Sequence, residues 1–212
     1  ASRMMVGARI ALIVGLGAVA VAALIGVSVG LVIALSRPWV DDVASALLDV
    51  LIAFPTLLLT MLIVAGFGAS LATVTVAIGV AASAVVARLT RILARRVLAE
   101  QYVLAARTSG VSTWGILTRH VLPNIWPTLA TNLAVTMGGA VLAEAGLSYL
   151  GLGAPPPNAS WGRLLQDAQA TFTMQPLGAI APGIAIVAFV LGTNLAADGL
   201  RSLIDPTQGG AR

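Results

Sequence analysis

The run Val74-Thr75-Val76-Ala77-Ile78-Gly79-Val80-Ala81-Ala82 decides the fold class. Apolar or small residues fill nearly every position, so neither a period of two nor a polar stripe appears. A membrane barrel strand alternates lipid-facing and lumen-facing residues, which this stretch does not do. It lies within residues 50–87, a segment without one charge, and residues 10–36, 120–143 and 168–197 are equally free of charge. A hydrocarbon core about 30 Å thick takes roughly 20 apolar residues in a helix rising 1.5 Å each. Helices also satisfy their own backbone groups in lipid. Segment 50–87 holds parts of two spans, divided at Gly66-Phe67-Gly68-Ala69-Ser70. The pattern predicts an all-α integral membrane protein with five transmembrane helices, near 10–35, 46–65, 71–90, 125–145 and 178–198, in one domain covering residues 1–212.

Composition points the same way. Of 212 residues, 58% are hydrophobic and 9% charged, against about 25% charged in an ordinary soluble domain. Twenty-two glycines, ten prolines and no cysteine exclude a disulfide-stapled module and a Cys-ligated metal centre. All twelve basic residues are Arg. A net charge of +4 carried by so few, dispersed groups does not make a phosphate-tracking surface, so nucleic acid is not an expected partner. The arginines instead read as topology. Arg37, Arg88, Arg91, Arg95, Arg96, Arg107, Arg119, Arg201 and Arg212 fall on one side of five spans, and Arg3, Arg9 and Arg163 on the other. The positive-inside rule then predicts a cytoplasmic loop at 93–123, a cytoplasmic C-terminus and an external N-terminus. An external start beginning Ala1-Ser2-Arg3 leads us to expect a further helix upstream. A signal peptide over residues 3–30 is the competing reading, but its apolar run exceeds the usual 7–15 residues.

Three polar interruptions carry the rest. Ser36-Arg37-Pro38-Trp39-Val40-Asp41-Asp42 reads as a turn in which Trp39 anchors at the headgroups. Residues 93–123 read as helix to Thr108, a break at Gly110, a cap at Ser112 or Thr113, and a short helix Trp114 to His120 stopped by Pro123. The external segment 146–176 holds Pro155-Pro156-Pro157, which favours extended chain, and Trp161, which suits an interface anchor. Pro55 is expected to kink its span. Gly26 and Gly30 form a small-xxx-small packing face, and Gly138-Gly139 offers a second. The single histidine, His120, excludes a Ser-His-Asp triad or a multi-histidine metal site. Without lysine there is no Walker loop, so ATP must be bound by another chain if it is used. Asp49, Glu144 and Asp198 lie at or near predicted helix ends, which argues against the proton relay of an ion-coupled carrier acting alone.

The stretch Glu100-Gln101-Tyr102-Val103-Leu104-Ala105-Ala106-Arg107-Thr108-Ser109-Gly110, followed by Arg119-His120-Val121-Leu122-Pro123-Asn124, resembles the EAA loop of binding-protein-dependent ABC importers. Ala105, Ala106, Gly110, Leu122 and Pro123 match the pattern at its spacing, while Leu104 replaces its Glu and His120 its Ile. The Arg-His-aliphatic-Leu-Pro-Asn ending resembles the dipeptide/oligopeptide/nickel branch. Asp49 to Leu59, Leu142 to Gly153 with Ser160-Trp161-Gly162, and Asp198-Gly199-Leu200-Arg201 with Leu203-Ile204-Asp205-Pro206 are similar to further blocks of its C-type permease subunit, in order. The resemblance implies a type I ABC importer permease fold with six spans, of which five lie here, and a cytoplasmic coupling helix. It implies ATPase-coupling roles for Glu100, Tyr102, Ala105, Ala106, Arg107, Gly110, His120, Leu122 and Pro123. The implied partners are a homologous permease, two cytosolic ATPases that hold ATP and Mg, an extracytoplasmic substrate-binding protein and the lipid of the cell membrane. No cofactor is expected in this chain, which would itself be non-catalytic. Short peptides are the expected cargo; nickel, glutathione-like compounds and haem are the alternatives.

Overall fold

A computed structural model describes residues 2–153, 155 and 158–204, and the described residues form helices without a strand. The order is α1 (Ser2–Leu35), α2 (Pro38–Ala53), α3 (Thr56–Phe67), α4 (Leu71–Leu98), α5 (Gln101–Thr108), α6 (Thr113–Ile116) continued by a π turn (Leu117–Val121), α7 (Leu122–Tyr149), α8 (Trp161–Gln169) and α9 (Leu177–Ile204). Among the described residues, four helices are each long and apolar enough to cross a membrane: α1, α4, the continuous helix Thr113–Tyr149, and α9. The pair α2 and α3 would make a fifth crossing, bent by 88°. Pro38-Pro55 spacing explains both ends of α2. Pro38 starts it at a position whose N–H is free anyway, and Pro55 drives Phe54 into extended backbone (φ −74°, ψ 128°). The kink expected at Pro55 is thus a full break.

Glycine contacts give the helix directions. A methyl at Gly79 of α4 would stand 2.8 Å from Ala18 O of α1; one at Gly26 would stand 2.6 Å from Val86 Cβ, and one at Gly30 2.5 Å from Ala87 O. Rising numbers on α1 meet rising numbers on α4, so the two run parallel. The chain must return between them, and only α2 and α3 are available, which makes the bent pair a crossing. The Gly26–Gly30 face packs as its spacing predicted, because missing side chains let two backbones approach where lipid supplies no hydrophobic drive. Helix α7 runs antiparallel to both neighbours. Gly15 of α1 faces Met137 and Val141 while Ala22 clusters with Leu133, and Gly138 faces Val190 and Thr193 of α9 while Ala145 clusters with Ile186. Numbers thus rise on one helix as they fall on the other. The innermost side chains, Val14, Ala18, Val64, Val74, Ala77 and Leu147, knit α1, α3, α4 and α7 together.

Two local expectations change. Pro123 does not stop the helix that begins at Thr113; it is the second residue beyond the π turn, inside a continuous helix. The Leu122 N–H reaches back five residues to Leu117 O, and this wider turn makes room for the proline ring. Trp161 is not a lipid anchor. It is 6% exposed, donates its indole N–H to Met4 O at 3.1 Å, and meets Phe189 edge-on. It therefore pegs α8 to the start of α1 and to α9. Helix α8 itself, capped by Ser160 accepting from Arg163 N, follows the prolines and was not anticipated from the sequence of the 146–176 segment. Pro156-Pro157 and Asp205-Pro206 lie outside the described residues.

Candidate coupling site

Helix α4 runs on past the predicted span to Leu98, and its last turns carry the arginines. Three of these meet acids of α2. Arg91 holds Asp41 with two hydrogen bonds, Nε to Oδ1 at 2.6 Å and Nη2 to Oδ2 at 2.5 Å, and Arg95 Nη1 lies 3.1 Å from the same Oδ2. Arg88 meets Asp49 at 3.0 Å on the surface. Asp41 stands in the first turn of α2 and Arg95 in the last turn of α4, so each charge also suits the dipole of its own helix. The clamp fixes where α4 ends and hence where the following elbow leaves the bundle.

The elbow begins at Ala99 and Glu100, where α4 breaks, and α5 follows with Glu100 at its N-cap. Its far end closes as a Schellman motif: Val111 N–H donates to Ala106 O at 3.1 Å and Gly110 N–H to Arg107 O at 3.0 Å. That closure needs a left-handed residue, and Gly110 supplies it with φ +82°. Ser112 then caps α6 by accepting from Gly115 N at 3.2 Å, the first of the two caps that the sequence offered. One side chain fastens α5 to the bundle: Val103, fully buried among Ala94, Ile116, Leu117, Val121 and Ile125. Everything else on α5 faces outward or half outward.

The predicted site residues fall together on this elbow. Glu100, Tyr102, Ala105, Arg107, Gly110 and Pro123 are exposed; Ala106, His120 and Leu122 are half-buried. Tyr102 and His120 bring their rings within 5.9 Å, tilted by 57°, and Asn124 ties the pair by donating to Tyr102 Oη (3.3 Å) and His120 O (2.7 Å). His120 thus braces α5 against the root of α7. Leu104, at the position where the resemblance expects Glu, is 62% exposed, and Trp114 is 74% exposed. Two large apolar side chains on an arginine-bearing elbow form a surface suited to another protein rather than to water. Val103, Trp114, Asn124 and Asp41 were not singled out for this site from sequence. Val103 falls between the exposed Tyr102 and Leu104, and nothing in its identity marks it as the fastener.

Residues 22–209 match the family described as "Binding-protein-dependent transport system inner membrane component". The chain is 37% identical over 205 residues to the glutathione transport system permease protein GsiD of Pectobacterium atrosepticum, covering 97% of this chain and 68% of that one. It is 35% identical to the dipeptide transport system permease protein DppC of Alkalihalophilus pseudofirmus, covering 97% and 67%. Its fold superposes with a TM-score of 0.80 on an inward-facing structure of the MetNI methionine ABC transporter, at 17% identity and 96% coverage of both chains. A crystal structure of an amino acid ABC transporter with histidines gives 0.67 at 20% identity, covering 96% and 92%. Parallel α1 and α4 joined by a bent return, antiparallel α7 and α9, and the matched residues agree: this chain belongs to the binding-protein-dependent transport system inner membrane components, the permease components of ABC importers.

Proposed function

We propose that this chain is a non-catalytic permease subunit of an ATP-driven importer of short peptides or glutathione-like peptides, and that the elbow from Glu100 to Pro123 is where ATPase motion enters it. The observation that carries this reading is the elbow's construction. It is an exposed helix with a closed C-terminal motif, held by one buried valine and braced by Tyr102 and His120. Such an element moves as a body rather than fraying, which is what transmission of a push to α4 and α7 requires. The working assembly would pair the chain with a second permease, two cytosolic ATPases binding ATP and Mg, and an extracytoplasmic binding protein. The arginine-bearing ends of α4 and α9 and the π turn after α6 would face the cytoplasm, with the C-terminus. GsiD is a glutathione transport system permease protein and DppC a dipeptide transport system permease protein, and both cargoes are short peptides.

The test uses the assembled transporter in proteoliposomes. Gly110→Val strains the left-handed residue, whereas Gly110→Asn keeps a residue that tolerates that region. No other part of this chain stands within 4 Å of a Cβ at Gly110, so within the chain the two variants differ in backbone strain and not in steric contact. The expected result is import lost at least tenfold in Gly110→Val and retained in Gly110→Asn, with both inserted in the membrane. Equal, normal import in both would refute the coupling role.

A further inference from the structure

Helix α5 is fastened by one fully buried side chain, and this fixes which of its faces points away from the bundle. At 3.6 residues per turn, buried Val103 and half-buried Ala106 mark the inner side, and the opposite side carries Gln101, Leu104, Ala105 and Thr108. All four are exposed and none is charged. Glu100 and Arg107, four residues before Leu104 and three after it, stand beside it as its helical neighbours. The Thr108 hydroxyl donates back to Ala105 O at 2.9 Å, so its hydrogen is used within the helix. Ala105 and Thr108 are small, which leaves Leu104 as the one large apolar side chain of this outer face.

Lipid is not what covers this face. Val103 seats α5 on the stretch Ile116–Val121, which stands about 42–50 Å from Tyr149 along the continuous helix, whereas a whole bilayer with its headgroups measures about 40–45 Å. The helix also leaves α4 just past Arg95 and Arg96, on the side where the arginines gather. Leu104 therefore differs from the exposed leucines of the spans, which have hydrocarbon to meet. A large apolar side chain at the centre of an uncharged face, with a carboxylate and a guanidinium group at its rim, has the anatomy of a protein interface. A helix of this kind is recognised by laying its outer face into a groove of another protein.

We infer that Leu104 determines which ATPase this permease accepts, and that the matching ATPase presents an uncharged, apolar recess to it. This rests on the elbow being the ATPase contact, as proposed above, and adds the chemistry that the partner must offer there. The pattern that the elbow resembles has Glu at this position, so the departure is itself the discriminating feature. A recess that holds a leucine has no donor for a carboxylate, and a charge placed in it would lose water without gaining a partner. An ATPase surface built to meet a carboxylate would in turn leave its own donor unpaired against Leu104. Discrimination of this kind works through mismatch as much as through fit. The small Ala105 and Thr108 beside Leu104 let the backbone of α5 approach, so that its side chain fills the recess alone.

The test follows release of the ATPase from the assembled transporter in nanodiscs after dilution. Leu104→Glu and Leu104→Arg are both expected to release it at least tenfold faster than the unmodified chain, Leu104→Ala at least threefold faster, and Leu104→Met at a rate within twofold. Because Leu104 is exposed, none of the four should move the melting midpoint of the chain. A charged variant that inserts with an unmoved midpoint but retains no ATPase counts as the same result. Release from Leu104→Glu as slow as from the unmodified chain would overturn the apolar recess, although that substitution restores the residue of the pattern. Fast release from Leu104→Glu with normal retention by Leu104→Arg would place an acidic surface or anionic headgroups opposite α5, and would overturn it too. Unaltered release from Leu104→Ala would overturn it whether or not the charged variants fold. Import lost in Gly110→Val with unaltered release from every Leu104 variant contradicts the role of Leu104 alone. Normal import in Gly110→Val contradicts the elbow reading beneath it.

Discussion

Replacing Asp41 by Asn tests whether the α2–α4 clamp holds the elbow in place. The substitution keeps shape and removes the charge that faces Arg91 and Arg95. The Asp41 side chain is 2% exposed, while the Arg91 and Arg95 side chains are 21% and 41% exposed. Breaking a fully buried pair costs about 3–5 kcal/mol, and breaking an exposed one about 0.2–1 kcal/mol. Here the carboxylate is enclosed but water reaches the guanidinium groups, which places the cost between these limits, at about 2 kcal/mol. Thermal midpoints of chains this size move by roughly 2–4 °C per kcal/mol, so a drop of about 4–8 °C is expected in a detergent melt of the purified chain. A double-mutant cycle separates the ion pair from packing. Asp41→Leu and Arg91→Met alone should each be destabilising, and the two together should recover most of the loss, since an apolar pair of similar volume replaces an ion pair at little cost. Because Asp41 is enclosed, the penalty should change little between low salt and 0.5 M salt. A midpoint shift within 1 °C for Asp41→Asn, or single effects that merely add, would refute the clamp.

Other expectations follow from single contacts. Gly30→Leu places atoms against Ala87 O and Thr90 and should lower the melting midpoint by several degrees, whereas Gly139→Ala, with open space, should leave it unchanged. Trp161→Phe removes the hydrogen bond to Met4 O and should cost about 1 kcal/mol, read as faster proteolysis of the segment around α8. Cysteines at Thr113 and at exposed Thr173 should label from opposite membrane faces; labelling of both from one side would overturn the proposed topology.

Charge-free runs located the crossings because a hydrocarbon solvent penalises charge at every position, whatever the tertiary contacts. The Gly26–Gly30 contact was legible for a similar reason, since close helix approach demands missing side chains. Turn chemistry at Ser112 and Gly110 was legible because those requirements are local. What failed depended on distant partners. Pro123 reads locally as a stop, and only the π turn before it lets the helix continue. Trp161 reads as an interface anchor until Met4 and Phe189 are brought beside it. Glu144 does lie in the last turns of α7, but its burial was not legible: it is 2% exposed and receives a hydrogen bond from Ser148 at 2.6 Å. Asp41 gave no sign of its role because its partners lie fifty residues away.

The central claim is that ATPase work enters this chain through the elbow between Glu100 and Pro123. The most direct measurement is ATP hydrolysis and dialanine import by the same reconstituted transporter, with the unmodified chain and with Ala105→Asp. The account predicts import tied to hydrolysis in the unmodified chain, and a loss of that tie in the variant while the protein remains in the membrane. Import by the purified chain without any ATPase, or undiminished ATP-coupled import with Ala105→Asp, would contradict it.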